Sequence, residues 1–116
     1  MDQEKLDIIN EICLKTRRYL ETNPAFYTQH IKSPFPKGWC GKSVELLIIA
    51  LSKKGLSVEK CSGNVFPNAK VKINHAWLEC EGYIIDITAD QFNDMGYSNP
   101  PVMVTDDDTF HRIFVR

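Results

Sequence analysis

The amino-acid sequence predicts an α+β domain, in which an N-terminal helix and a buried central helix pack on an antiparallel β-sheet. Three observations predict this fold class. Apolar residues recur at helical spacing near the start, a nearly continuous apolar segment follows, and short strand-like segments fill the second half. The 116 residues can bury a core of their own, so we expect one domain over residues 1–116.

The first helix is predicted over residues 3–21, because Leu6, Ile9 and Cys13 recur at the spacing of one helical face. A segment rich in proline and glycine follows over residues 24–38 and predicts a long irregular loop. Loops of this length are often functional.

The central helix is predicted to begin at Trp39 or Cys40 and to end at Lys54, with Gly55 as the stop. Its apolar positions are Val44, Leu46, Leu47, Ile48, Ile49, Ala50 and Leu51. A helix that is apolar nearly all round is expected to be buried.

Strand-like segments rich in β-branched and aromatic residues follow the central helix. The predicted strands are Ser57–Cys61, Lys70–Glu79, Tyr83–Thr88 and Val102–Thr105. Glu81 and Gly82 predict a tight hairpin turn between the second and third strands. Residues 111–116 are expected to add a short edge strand.

The composition is that of an ordinary soluble globular protein, with 43% hydrophobic and 25% charged residues. A formal net charge of -1 gives no basic bias toward nucleic acid or an anionic membrane. We find neither a signal peptide nor a membrane-spanning run, and therefore expect a cytoplasmic protein, although export by a signal-independent route would leave no trace. No cofactor is expected.

The four cysteines are not expected to form disulfides in such a protein, and no spacing typical of structural zinc occurs. Cys13, Cys61 and Cys80 are interpreted as core or surface thiols. The lone histidines His30 and His111 are interpreted as surface or packing residues.

Cys40 is the candidate nucleophile, because it begins the central helix after the Pro- and Gly-rich loop. The free N–H groups and the dipole at a helix N-terminus stabilise a thiolate. Gly38 and Gly41 flank Trp39 and Cys40, which would let a substrate approach closely. The alternative is that Cys40 is a small buried hydrophobic residue at a helix start.

A histidine and an aspartate are predicted to meet across the hairpin. If Glu81 and Gly82 form a two-residue loop, Trp77 pairs with Asp86, which then shares a face with His75. An aspartate in an apolar strand is costly unless paired, and a carboxylate on one ring nitrogen leaves the other for the thiol. Two alternatives stay open: a purely structural His–Asp pair, and a one-residue shift that puts Asp86 on the other face.

These segments resemble a known superfamily. Residues 38–40 (GWC), followed by the apolar helix, resemble the nucleophile segment of transglutaminase-like and papain-like enzymes. Residues 75–79 (HAWLE) and 82–88 (GYIIDIT) resemble the histidine and aspartate strands of that superfamily. Arylamine N-acetyltransferases share the order Cys, His, Asp, and the resemblance covers roughly residues 35–92.

The resemblance implies Cys40 as nucleophile, His75 as general base and acid, and Asp86 as the group that orients His75. The sequence departs from papain-like peptidases in one respect, since their oxyanion-hole glutamine lies shortly before the cysteine. Here the nearest upstream glutamine, Gln29, is 11 residues away. The chain also lacks room for a large acceptor or calcium module, which argues against protein cross-linking.

Three further residues are candidates for substrate binding. Trp39 and Trp77 could form the wall of an acyl or side-chain pocket, or could equally belong to the core. Gln91, with Asp90, follows the Asp86 strand and could line the cleft or cap the turn.

The sequence therefore predicts a thiol-dependent hydrolase or acyltransferase with Cys40, His75 and Asp86 as catalytic residues. The expected substrate is a protein, a peptide or a small amide. One alternative is a non-catalytic binding module that keeps the fold. Another is a metal-binding protein that uses the same three residues as ligands.

Overall fold

The computed structural model describes residues 3–22 and 35–116. Two α-helices come first, α1 (Gln3–Thr22) and α2 (Cys40–Lys53). The strands are β1 (Val58–Asn68), β2 (Val71–Cys80), β3 (Tyr83–Asp86) and β4 (Met103–Thr105), with 3-10 helices at Ala89–Met95 and His111–Ile113. The predicted α+β class is confirmed, because both α-helices precede and pack on an antiparallel sheet.

The four strands lie in their chain order, β1-β2-β3-β4, with antiparallel neighbours. The turn between β2 and β3 is the predicted two-residue turn, and Cys80 pairs with Tyr83. Glu81 and Gly82 have φ values of 54° and 86°, as a type I′ turn requires. This turn fixes the register of the hairpin, so the one-residue shift considered from the sequence does not occur.

One face of the sheet packs against the helices and forms the main core. Ile9 of α1, Leu47 of α2 and Leu78 of β2 are fully buried there. The predicted packing of α2 on the sheet is confirmed, but its burial is confined to one face, since Ile49 on the other face is 53% exposed. The exposed face of α2 could not be recognised from the sequence, because it also carries apolar residues. This face is exposed because α2 packs on the sheet with one side only.

The opposite face carries a smaller aromatic core. Trp77 and Ile84 of the sheet are buried against Phe92 and Phe114, which come from segments after β3. The expected C-terminal edge strand is wrong, because His111–Ile113 forms a 3-10 helix. Val115 alone makes a bridge to Asn64 of β1. Residues 111–116 therefore cover the sheet face and pair with the edge strand β1 only at Val115.

The remaining boundaries differ little from prediction. β1 continues past Cys61 to Asn68, because it pairs with β2 as far as Val71 despite Gly63 and Pro67 within it. Most of the predicted loop, residues 23–34, lies outside the described residues, as do Gln29 and His30. Across residues 3–22 and 35–116, we find no helix with the length and apolar character needed to cross a bilayer.

Candidate active site

Cys40 is the first residue of α2 and is only partly buried. Trp39 at the N-cap position makes no side-chain capping hydrogen bond to the helix. The first N–H groups of a helix have no partner within it, so they favour negative charge on a group beside them. Gly38, two residues earlier, has a φ of 79°, which suits glycine.

His75 and Asp86 meet on the aromatic face of the sheet, as the register predicts. The distance from His75 Nε2 to Asp86 Oδ2 is 2.6 Å. Both side chains are buried, with His75 0% and Asp86 2% exposed. The Cys40 thiol and His75 each shift the pKa of the other, and because Nε2 faces the carboxylate, Nδ1 is the ring nitrogen left for the thiol. His75 thus lies between the thiol and the carboxylate.

Asp86 has a second histidine partner that the sequence interpretation missed. His111 Nε2 lies 2.7 Å from the same Oδ2 atom, and the residue is 4% exposed. The other oxygen, Oδ1, accepts the backbone N–H of Thr88 at 3.0 Å. Of the two interpretations of His111, a surface residue is wrong, whereas a packing residue is correct but incomplete, because its ring packs 4.8 Å from that of Trp77 and also contacts Asp86. Its position between Phe110 and Phe114, two aromatic residues one helical turn apart, was the available signal that it would be buried.

These contacts determine the charges of the buried pair. Burial would raise the pKa of Asp86, but the charge of His75 and hydrogen bonds from His111 and His75 lower it to about 2. Burial would likewise lower the pKa of His75. The charge and hydrogen bond of Asp86, together with Cys40, instead raise it to about 9. The arrangement therefore favours a carboxylate beside an imidazolium.

Cys40 differs in its electrostatics from the other three cysteines. Burial would raise the pKa of Cys40, but the hydrogen bond and charge of His75, with a backbone hydrogen bond from Ala76, lower it. Burial raises the pKa of Cys13 to about 12 and also raises the pKa values of Cys61 and Cys80. All four thiols are free. Cys40 is consequently the thiol most disposed to ionise and to act as a nucleophile.

Gln91 lies beside the histidine, and Asp90 has a different role. The amide nitrogen of Gln91 is 3.4 Å from His75 Nδ1, so this side chain borders the thiol–imidazole contact. Asp90 instead forms a bidentate pair with Arg17 of α1, at 2.7 and 2.8 Å. Arg17 also donates to the carbonyl of Ile87 at 2.9 Å. Asp90 therefore anchors α1 to the segment that carries Gln91.

The two tryptophans proposed as pocket walls are buried. Trp39 is 0% exposed and joins the main core, with Phe35 edge-on at 5.7 Å. Trp77 is 1% exposed and packs 5.8 Å from the His75 ring. Both side chains pack in the protein interior next to site residues. Their proposed role in substrate binding stays a prediction.

His75, Asp86 and His111 offer three ligand atoms within 4.8 Å of one another, a set that could hold a metal ion. Zinc ligands at about 2.1 Å from the ion lie roughly 3.4 Å apart in tetrahedral geometry. The observed nitrogen–oxygen distances of 2.6 and 2.7 Å are those of hydrogen bonds. The three side chains as placed therefore suit shared protons better than a metal.

The structure places a thiol of lowered pKa at the start of α2, and the imidazole that lowers this pKa is hydrogen-bonded to a buried carboxylate. These are the parts of an activated nucleophile. A scan against protein-family models, a search of curated proteins and a search of solved structures each found no match. The resemblance to transglutaminase-like enzymes therefore stays a prediction made from residues 35–92.

Proposed function

We propose that this protein is a thiol-dependent hydrolase or acyltransferase that acts on an amide or acyl group. One observation carries the proposal: His75 meets the buried Asp86 carboxylate through Nε2 at 2.6 Å and lowers the pKa of the Cys40 thiol at the start of α2. A structural His–Asp pair would not need a thiol of lowered pKa at a helix N-terminus. We include in the proposal the membership of a transglutaminase-like superfamily that the sequence motifs suggest.

The proposed reaction begins with the Cys40 thiolate and the His75 imidazolium. The Cys40 Sγ atom attacks the carbonyl carbon, and the carbonyl π electrons move to oxygen. When the tetrahedral intermediate collapses, the carbon–nitrogen bond breaks, and His75 donates its proton to the departing amine. The product is a thioester on Cys40, with His75 neutral.

Water or an amine then resolves the thioester. Neutral His75 accepts a proton from the incoming nucleophile, which forms a bond to the acyl carbon, and Cys40 leaves as a thiolate. The Asp86 carboxylate keeps the ring oriented and stabilises its positive charge in both half-reactions. Backbone N–H groups in the first turn of α2 are the proposed donors to the oxyanion.

Substrate and location follow from the same residues. A protein, a peptide or a small amide can present the carbonyl group that the reaction needs. Four free thiols suit a reducing compartment, and we propose the cytoplasm.

The test is the pH dependence of alkylation at each cysteine. Native protein is treated with limiting iodoacetamide from pH 5 to 9, and modification is mapped by mass spectrometry. Because His75 lowers the pKa of Cys40, we expect Cys40 to react fastest and to stay reactive well below the ~8.5 of a free thiol. In His75→Ala, the Cys40 profile should shift to higher pH.

Burial alone could slow the alkylation of the other cysteines. The decisive comparison is therefore between the alkylation of Cys40 in wild type and that of Cys40 in the His75 variants. His75→Gln, which keeps most of the side-chain volume, serves as the second variant, and circular dichroism checks that both variants fold. An unchanged Cys40 profile in both folded variants would refute the proposal. A non-catalytic binding module would then be the better interpretation.

A further inference from the structure

A cleft of about 480 Å³ lies beside the candidate catalytic residues, and we call it the acyl cleft. Its lining includes Gly38, which precedes Cys40 by two residues, and Gln91, whose amide nitrogen is 3.4 Å from His75 Nδ1. Phe92 also lines the cleft, and its ring centroid lies 5.0 Å from that of His75. The cleft therefore borders the thiol–imidazole contact.

Other sizeable clefts lie farther from this contact. One is formed by residues around the β2–β3 turn, including Glu59, Glu81 and Asp106, and another by the segment around Tyr97 and Val102. Neither has Gln91 or Phe92 in its lining, whereas the acyl cleft is lined by these two neighbours of His75, although not by Cys40 or His75 themselves. Of these three clefts, the acyl cleft is the one that adjoins the neighbours of His75.

The lining of the acyl cleft is more apolar than polar, and its positive and negative charges are equal in number. Ile73, Phe92 and Met95 contribute hydrocarbon, ring and thioether surface, and Met95 is 38% exposed. The two charged residues of the lining, Lys37 and Asp94, pair with each other at 2.5 Å. A charged substrate group would find no unpaired opposite charge among these side chains, and an apolar group would lose contact with water.

We propose that the acyl cleft binds the acyl part of the substrate and selects a neutral, apolar acyl chain over a small or anionic one. This inference rests on the proposed function, since it takes Cys40 as the atom that receives the acyl group. Among the apolar side chains of the acyl cleft, Phe92 is buried and Ile73 is partly buried, whereas Met95 is exposed. Gln91 separates the bound chain from the His75 ring.

The experiment compares three activated esters as acyl donors: p-nitrophenyl acetate, p-nitrophenyl hexanoate and mono-p-nitrophenyl succinate. Release of p-nitrophenolate gives the acylation rate, and intact and peptide mass spectrometry identify the acyl group on Cys40. Each rate is corrected with the Cys40→Ala variant and divided by the rate with N-acetylcysteine, which removes intrinsic ester reactivity. We expect the corrected hexanoate rate to exceed the acetate rate about tenfold, with succinate slowest.

Met95→Glu places a carboxylate in the lining of the acyl cleft and should reduce the hexanoate-to-acetate ratio to about one. Ile49→Glu is the matched control, because Ile49 is also an exposed apolar residue, at 53%, but lies on the outer face of α2. That variant should keep the wild-type ratio. Circular dichroism and thermal unfolding establish that both variants fold.

The outcomes separate the two proposals. If no ester acylates Cys40 faster than N-acetylcysteine, the proposed function fails. If acetate acylates Cys40 rapidly, but hexanoate has no advantage or succinate is preferred, the acyl-cleft inference alone is overturned. It is also overturned if Met95→Glu keeps the hexanoate preference or if Ile49→Glu loses it.

Discussion

Asp86 is the residue on which the site depends most. It is buried in a short apolar strand and receives hydrogen bonds from His75, His111 and the Thr88 backbone. A buried carboxylate without such partners would be protonated, or would destabilise the fold by several kcal/mol. With them, it remains charged and holds the imidazole of His75 in one orientation.

We predict that His111→Phe destabilises the protein by about 1.5–3 kcal/mol, because it removes a hydrogen bond to a charged group. It should also raise the pKa of Asp86, since the hydrogen bond from His111 is one of the causes that lower it. Urea unfolding measures the first effect, and the ¹³C shift of the Asp86 carboxyl carbon measures the second.

His111→Gln is the conservative counterpart, because its amide can still donate to Asp86. It should be more stable than His111→Phe but less stable than wild type. The pKa of Asp86 should remain nearly as low as in wild type. A variant pair with equal stability and equal Asp86 titration would mean that the ring of His111 only fills space.

At the scale of elements, the site depends on the contact between β1 and the C-terminal segment. An added Cβ at Gly63 would lie 2.9 Å from Phe114 Cβ and 3.0 Å from the Val115 carbonyl oxygen. Glycine is therefore required for the close approach of these two segments. The C-terminal segment in turn brings His111 to Asp86 and places Phe114 5.3 Å from the His75 ring.

We predict that Gly63→Ala destabilises the protein by about 1–3 kcal/mol, because Phe114 Cβ and the Val115 backbone cannot yield without moving the whole segment. Gly41→Ala is the matched control, since nothing lies within 4 Å of its added Cβ, and alanine suits a helix better. Thermal and urea unfolding compare the two.

Equal stability of the two alanine variants would contradict this account of Gly63. A loss of stability in Gly41→Ala would show instead that the start of α2 tolerates no change. The same samples can be alkylated at Cys40, because a displaced C-terminal segment should also weaken the effect of His75 on the thiol.

For the molecule as a whole, the buried charges make stability depend on pH. The pKa of Asp86 is lowered from an ordinary 3.8 to about 2 in the folded protein. A carboxyl group with a lowered folded pKa stabilises the fold above its unfolded pKa. That contribution, roughly 2 kcal/mol, is lost as the pH falls from 3.8 through 2.

We therefore predict that the difference in unfolding free energy between wild type and Asp86→Asn is larger at pH 4.5 than at pH 2.5. Urea titrations at both pH values provide the measurement, because asparagine cannot titrate. A difference that stays constant or grows as the pH falls to 2.5 would mean that Asp86 is not held as a carboxylate.

Local patterns were sufficient to predict the helices, the β2–β3 turn and the meeting of His75 with Asp86. Each depends on residues near one another in the chain, or on a register that two turn residues determine. The exposed face of α2 and the second partner of Asp86 could not be predicted in this way. They depend on which surface a helix meets and on a contact between residues 25 positions apart.

The position of Cys40 beside His75 could be predicted only in part from the sequence. Sequence order and the glycine-rich approach to α2 indicated a nucleophile, but not that the Ala76 backbone would also contact the thiol. Gln91 is the one residue of the acyl cleft that the sequence analysis named as a possible cleft residue. The other walls of the cleft come from β2 and from the 3-10 helix at Ala89–Met95, whose packing no local pattern specifies.

The order of the site residues along the chain has a consequence for biosynthesis. A ribosome makes Cys40, His75 and Asp86 before it reaches His111 and Phe114. Until those two residues emerge, Asp86 lacks its second imidazole partner, and the His75 ring lacks part of its aromatic cover. The buried setting of Asp86 and of the His75 ring is therefore complete only after residues 111–114 have been made.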